Sequence, residues 1–120
     1  MLEGLTCNPM YEYNAICDRV IDGDTIDARI DLGFNVWTFV RVRLYEIDAP
    51  ESRTRNEEEK LQGLRSKAYL KAIMDGCGGK IVLKSHGVGK FGRCLGTIYV
   101  HGENINERLI QEGYAKRYER

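Results

Sequence analysis

The chain has no apolar run near the roughly 18 residues that a membrane-spanning helix needs, so no membrane association is expected. Only two prolines interrupt its 120 residues. With 42% apolar and 30% charged side chains it also lies outside the composition of disordered chains. It has no net charge, 18 basic residues standing against 18 acidic, which argues against coating a duplex by bulk charge. The two histidines, His86 and His101, are far apart and read as ordinary turn residues. No Ser-His-Asp or Cys-His arrangement has support from local sequence. Cys7, Cys17, Cys77 and Cys94 lack the short regular spacing of a zinc knuckle and read as isolated thiols in a reducing compartment. The opening residues lack the basic and apolar regions of a signal peptide, so a cytoplasmic location is expected.

What is present suits one domain over residues 1–120, expected to be monomeric, with residues 1–10 as a flexible N-terminal extension. Charge is unevenly placed: residues 1–51 hold 4 basic and 10 acidic groups, net −6, and residues 52–120 hold 14 and 8, net +6. Ile16 to Ile21 reads as a strand entering a tight turn at Asp22-Gly23-Asp24. Thr25 to Asp31 alternates, with Ile26, Ala28 and Ile30 on one face. A long strand is expected from Val36 to Ile47, with Val40, Val42 and Leu44 on one side and Trp37, Phe39, Arg41 and Arg43 on the other. Trp37 and Phe39 are expected to pack near a barrel rim, with base binding as the lesser alternative.

From Glu57 to Met74 the period changes, and Leu61, Leu64, Ala68 and Ala72 recur at helical spacing as the expected buried face. Gly63 weakens that pattern, which moves the expected start of the ordered helix toward Gln62. Strands follow at Ile81–Ser85 and Cys94–Val100, separated by a glycine-rich turn from His86 to Arg93. Asn104 with Glu107 resembles a capping box that opens a short helix to Gln111. Three strands, a helix, two strands and a short helix predict an OB-fold: a five-stranded closed barrel of the mainly β (α+β) class. SH3-like and ferredoxin-like arrangements are the runners-up.

Three acids stand where strand patterns end: Asp24 after the first turn, and Asp48 and Glu51 around the rigid Pro50. Hard oxygen ligands without histidine or cysteine suit Ca²⁺ or Mg²⁺. Two carboxylates alone leave such a site open, as catalysis requires. Arg43, on the long strand, and Arg93, closing the glycine-rich turn, are guanidinium forks that could neutralise charge on a phosphoryl group. Taken singly, such residues are more often turn residues or solvated surface charges.

Four segments occur in one order: Val20-Ile21-Asp22-Gly23-Asp24-Thr25, then Arg43-Leu44-Tyr45-Glu46-Ile47-Asp48-Ala49-Pro50-Glu51, then Lys90-Phe91-Gly92-Arg93, then Asn106-Glu107-Arg108-Leu109-Ile110-Gln111-Glu112-Gly113-Tyr114-Ala115. Together they resemble the staphylococcal (micrococcal-type) thermonuclease family. The resemblance implies a Ca²⁺-dependent phosphodiesterase that cleaves single-stranded DNA and RNA by water attack and leaves 3′-phosphate ends. It implies Asp24, Asp48 and the Ala49 carbonyl as metal ligands, Glu51 as general base, and Arg43 and Arg93 as phosphate clamps. Lys90, Phe91, Tyr114 and Tyr118 are the accompanying substrate-contact candidates, with Arg53-Thr54-Arg55 and Lys84 behind them. The chain departs from the family pattern at Ala49 (commonly threonine), at Phe91 (tyrosine) and at Gly89 (acidic). The alternative function is a catalytically silent OB module that binds single-stranded nucleic acid or a protein partner.

Overall fold

The structure is a computed structural model of the chain and describes residues 11–89 and 92–118. The N-terminal extension expected over residues 1–10, and the candidates Lys90 and Phe91, lie outside the described residues. In chain order the elements are β1 (Tyr11–Asp22), β2 (Thr25–Asp31), β3 (Trp37–Leu44), β4 (Ile47–Asp48), α1 (Glu57–Gly76), β5 (Lys80–Val88), β6 (Cys94–Val100), β7 (Glu103–Asn104), α2 (Ile105–Gln111) and β8 (Lys116–Arg117).

Strands β1, β2 and β3 form an antiparallel meander, and β5 and β6 continue the sheet antiparallel from the other side of β1. Parallel pairing of Val42–Leu44 in β3 with Cys94–Gly96 in β6 closes the barrel in the order β1-β2-β3-β6-β5. With α1 after the third barrel strand and α2 near the C-terminal end, this is the expected OB-fold. The core follows from strand alternation. Ile26, Ala28, Ile30, Val42, Leu44, Leu83 and Ile98 point inward, and Leu70, Met74, Ile105 and Leu109 of the helices cover them.

The long strand expected from Val36 to Ile47 is broken after Leu44. Leu44 and Ile47 are both buried, and residues three apart on a continuous strand would face opposite ways. A turn with Glu46 at φ 60° resets the phase, seats Ile47 inside and leaves Asp48 outside. Asn106, itself buried, holds this turn to the barrel. Its amide nitrogen donates to the carbonyls of Tyr45 (3.2 Å) and Gly96 (3.1 Å), and its oxygen accepts from the Ile98 N–H.

The first helix begins at Glu57, not near Gln62, because the Asn56 side chain caps the Glu59 N–H and three acidic residues favour the positive end of the helix dipole. Its buried face also differs from the expected one. Leu61, Leu64, Ala68 and Ala72 face solvent, while Gly63, Ser66, Leu70 and Met74 are buried. Both sets satisfy helical spacing. The near end of α1 packs against backbone, where only small residues fit: a Cβ on Gly23 would lie 2.6 Å from that of Ser66. Trp37 and Phe39 are likewise exposed on β3 and not packed at a rim.

Candidate active site

The β1–β2 turn and the β3–β4 turn meet at one end of the barrel, where the Leu44 N–H donates to the Asp24 carbonyl at 2.8 Å. A cleft of about 690 Å³ opens there. It is lined by Asp24, Arg43, Asp48, Ala49, Glu51 and Arg93, so six residues from three distant segments of sequence share one cavity. Asp22, Arg41, Arg53, Glu59, Gln62 and Lys116 complete most of the wall.

Asp24 is the buried member, with 7% of its surface exposed. One carboxylate oxygen accepts from the Ala49 N–H at 2.8 Å, and the other accepts from the Thr25 hydroxyl at 2.9 Å. Burial pushes its pKa up, and the Arg43 guanidinium, the Ala49 N–H and the Thr25 hydroxyl oppose that rise. Asp48 adds a like charge that acts in the same direction as burial. The Arg43 fork spans both acids, with Nη1 at 3.2 Å from Asp24 Oδ2 and Nη2 at 3.4 Å from Asp48 Oδ1. Asp48 is exposed, and its strand pairs with Lys116 of β8. Glu51 is exposed as well.

The residues past Glu51 are held by contacts that sequence reasoning missed. The Ser52 hydroxyl and N–H both donate to Asp22 Oδ1, and Arg53 lies 3.9 Å from the other Asp22 oxygen. Gly63 of α1 sits directly beneath the Glu51–Ser52 backbone. The only signals in the sequence were the first acid of Asp22-Gly23-Asp24 and a glycine inside a helical pattern.

Other candidates fall elsewhere. Tyr114 stacks on Tyr69 at 4.2 Å between the two helices, away from the cleft. Tyr118 is exposed and lines a neighbouring cavity of about 560 Å³ that also takes in Arg43 and Arg93. His86 stacks on Tyr45 at 4.0 Å, with Nε2 2.9 Å from the Thr97 hydroxyl. Cys17, Cys77 and Cys94 are free thiols, and burial pushes the Cys17 pKa up to about 11, which keeps it unreactive.

Among the described residues, no group of three or more His, Cys, Asp or Glu side chains is placed to hold a metal ion. Of the carboxylates lining the cleft, Asp22 is engaged by Ser52 and Arg53, while Asp24 and Asp48, bridged by Arg43, are the hard-oxygen pair that fits an open site for a calcium-like cation. A buried carboxylate whose charge is disfavoured, beside a second carboxylate, is the electrostatic setting a cation would relieve. Among the described residues no helix is long and apolar enough to cross a membrane.

Fold and cleft together define an OB-barrel protein with a mixed acid–arginine site at one end of the barrel. The family model described as "Staphylococcal nuclease homologue" matches residues 41–120, two thirds of the chain, and the chain belongs to that family. It is similar to endonuclease YhcR of Bacillus subtilis (strain 168), 35% identical over 115 residues, which cover 89% of this chain and 9% of that protein. It is also similar to protein ParB of Escherichia coli, 32% identical over 109 residues and covering 83% of this chain and 54% of ParB. A micrococcal nuclease of Shigella flexneri is 30% identical over 109 residues, covering 83% of this chain and 55% of that protein. The chain thus spans at most about half the length of these relatives.

Proposed function

We propose that this domain is a calcium-dependent phosphodiesterase that cleaves single-stranded DNA and RNA and leaves 3′-phosphate ends. The observation that carries the reading is the Arg43 fork bridging Asp24 and Asp48 in a cleft that also holds Glu51 and Arg93. Family membership and the endonuclease and nuclease names of several relatives support it.

Asp24 and Asp48, with the Ala49 carbonyl, would hold the cation. When bound, it would supply Lewis-acid polarisation of a phosphate oxygen. The remaining work belongs to the chain. Glu51, exposed at the cleft, is free to accept a proton from an attacking water. Arg43 and Arg93 approach the same cavity from a strand and from a turn, and can meet the equatorial oxygens of a phosphodiester as negative charge grows on them. Arg43 is held on β3 beside Asp24, so its fork is oriented before substrate arrives.

The test is a gel assay on single-stranded DNA and on RNA with Ca²⁺, with Mg²⁺ and with chelator, followed by chemical typing of both new ends. Cleavage with Ca²⁺ that chelator abolishes, and 3′-phosphate products, is the expected result. A chain that binds the strand and cleaves neither polymer under any of the three conditions would instead be a binding module.

A further inference from the structure

The outer face of β3 carries Trp37, Phe39, Arg41 and Arg43 in alternate positions. Arg41 and Arg43 line the cleft. Beyond them β3 becomes an edge of the sheet, since pairing with β6 is confined to Val42–Leu44 while pairing with β2, itself backed by β1, runs the whole length from Trp37 to Arg43. On this face Phe39 is 76% exposed and Trp37 45% exposed, and Phe34 at the β2–β3 turn is fully exposed. Large aromatic surface left in water is costly, and several such rings in one direction mark a binding surface.

The charges around the rings are already matched. Arg41 is bonded to Asp27 at 2.8 Å, and Arg29, which pairs across from Phe39, is bonded to Asp18 at 2.9 Å. The face is therefore close to neutral as well as aromatic, suited to the flat apolar faces of bases more than to phosphates. Alternate residues on a strand repeat at about 6.6–6.8 Å, close to the step of an extended single strand. Phe39 stands about 13 Å and Trp37 about 20 Å along β3 from Arg43.

We propose that the outer face of β3 is a base-stacking track that carries a single-stranded nucleic acid away from the cleft, with Phe39 and Trp37 as its platforms. Continuity identifies the occupant: the same strand face that lines the cleft with Arg43 and Arg41 presents the rings. The inference rests on the nuclease reading for what the cleft holds, and it extends that reading to substrate length. Only chains long enough to reach from Arg43 to Phe39 use the track.

Trp37 is the sole tryptophan, so its emission reports the track directly. Binding is measured in chelator, where no cleavage is expected, with a dinucleotide, too short to reach from Arg43 to Phe39, and with a single strand of about twelve nucleotides, within the usual footprint of one OB-fold. The longer strand should change Trp37 emission and the shorter should not. Phe39→Ala should weaken the longer strand by about 5- to 150-fold, the range for one stacked base. It should leave the slope of affinity against salt unchanged, because no phosphate contact is removed. With Ca²⁺, the same variant should raise KM for the longer substrate alone and spare kcat.

Equal affinity of Phe39→Ala and wild type for the longer strand would overturn the track, as would Trp37 emission indifferent to a strand that binds. Emission that instead tracks protein concentration, with a dimer in sedimentation, would make this face a contact between two copies. Stacking without cleavage in any metal would retain the track and reject the nuclease reading.

Discussion

Replacing Gly63 by alanine should damage the protein even though alanine is the better helix former. An added Cβ would lie 2.5 Å from the Glu51 carbonyl carbon and 2.7 Å from the Ser52 amide nitrogen. Ordinary contact needs roughly 3.5 Å, so helix and loop must separate by about 1 Å. Both obstacles are backbone, and Ser52 is further held by Asp22, so neither can swing aside as a side chain would. Overpacking of this kind costs about 1–3 kcal/mol. The helix gains roughly 0.5–1 kcal/mol from losing a glycine. The net loss is then about 1–2 kcal/mol, or ~4–8 °C in Tm for a domain of this size. Displacing Glu51 by about 1 Å should also slow cleavage on the order of 100-fold. Gly76→Ala is the control: it ends the same helix with nothing within 4 Å of its added Cβ, and it should stabilise by about 0.4–1 kcal/mol. Thermal melts of both variants with single-turnover cleavage make the comparison. Gly63→Ala as stable and as active as wild type would refute the reasoning.

Arg43→Lys keeps the charge and loses the fork, so it should lower kcat by about 10²–10³-fold while changing strand affinity little; quenched-flow cleavage with separately measured binding decides. Asp24 has its pKa raised by burial, so the ionised form weakens the fold as pH rises through the folded value. Asp24→Asn should therefore raise the metal-free Tm near pH 7, an advantage that shrinks toward about pH 4, and should abolish the rise in Tm that Ca²⁺ is expected to give wild type. His86 has its pKa lowered, first by burial and then by Lys84. Its contribution is present above about pH 6.5 and is lost as pH falls from there through the folded value. His86→Gln should remove that part of the acid-dependent loss of Tm.

The closed barrel was legible because alternation in β2 and the turn glycines report backbone geometry locally. Ile26, Ala28 and Ile30 face inward as their spacing requires. The face of α1 was not legible, since Leu61, Leu64, Ala68 and Ala72 obey the same period as Gly63, Ser66, Leu70 and Met74. Which set is buried depends on what the helix meets, and at its near end it meets the backbone of Glu51 and Ser52. Likewise Val36 to Ile47 reads as one strand, because the φ of 60° at Glu46 leaves no mark in residue type. At the cleft, charge and order in sequence named Asp24, Arg43, Asp48, Glu51 and Arg93. The support from Asp22, Ser52 and Asn106 depends on contacts between distant segments.

The most direct test of a hydrolytic cleft is Glu51→Gln, because Glu51 is exposed and its loss spares the core, the carboxylate pair and both arginines. Single-turnover cleavage of a single-stranded oligonucleotide at saturating Ca²⁺ should fall by about 10²–10⁴-fold, the range for one general base. Tm and Ca²⁺ affinity should stay close to wild type. Cleavage by Glu51→Gln at the wild-type rate would contradict the assignment of proton transfer to Glu51.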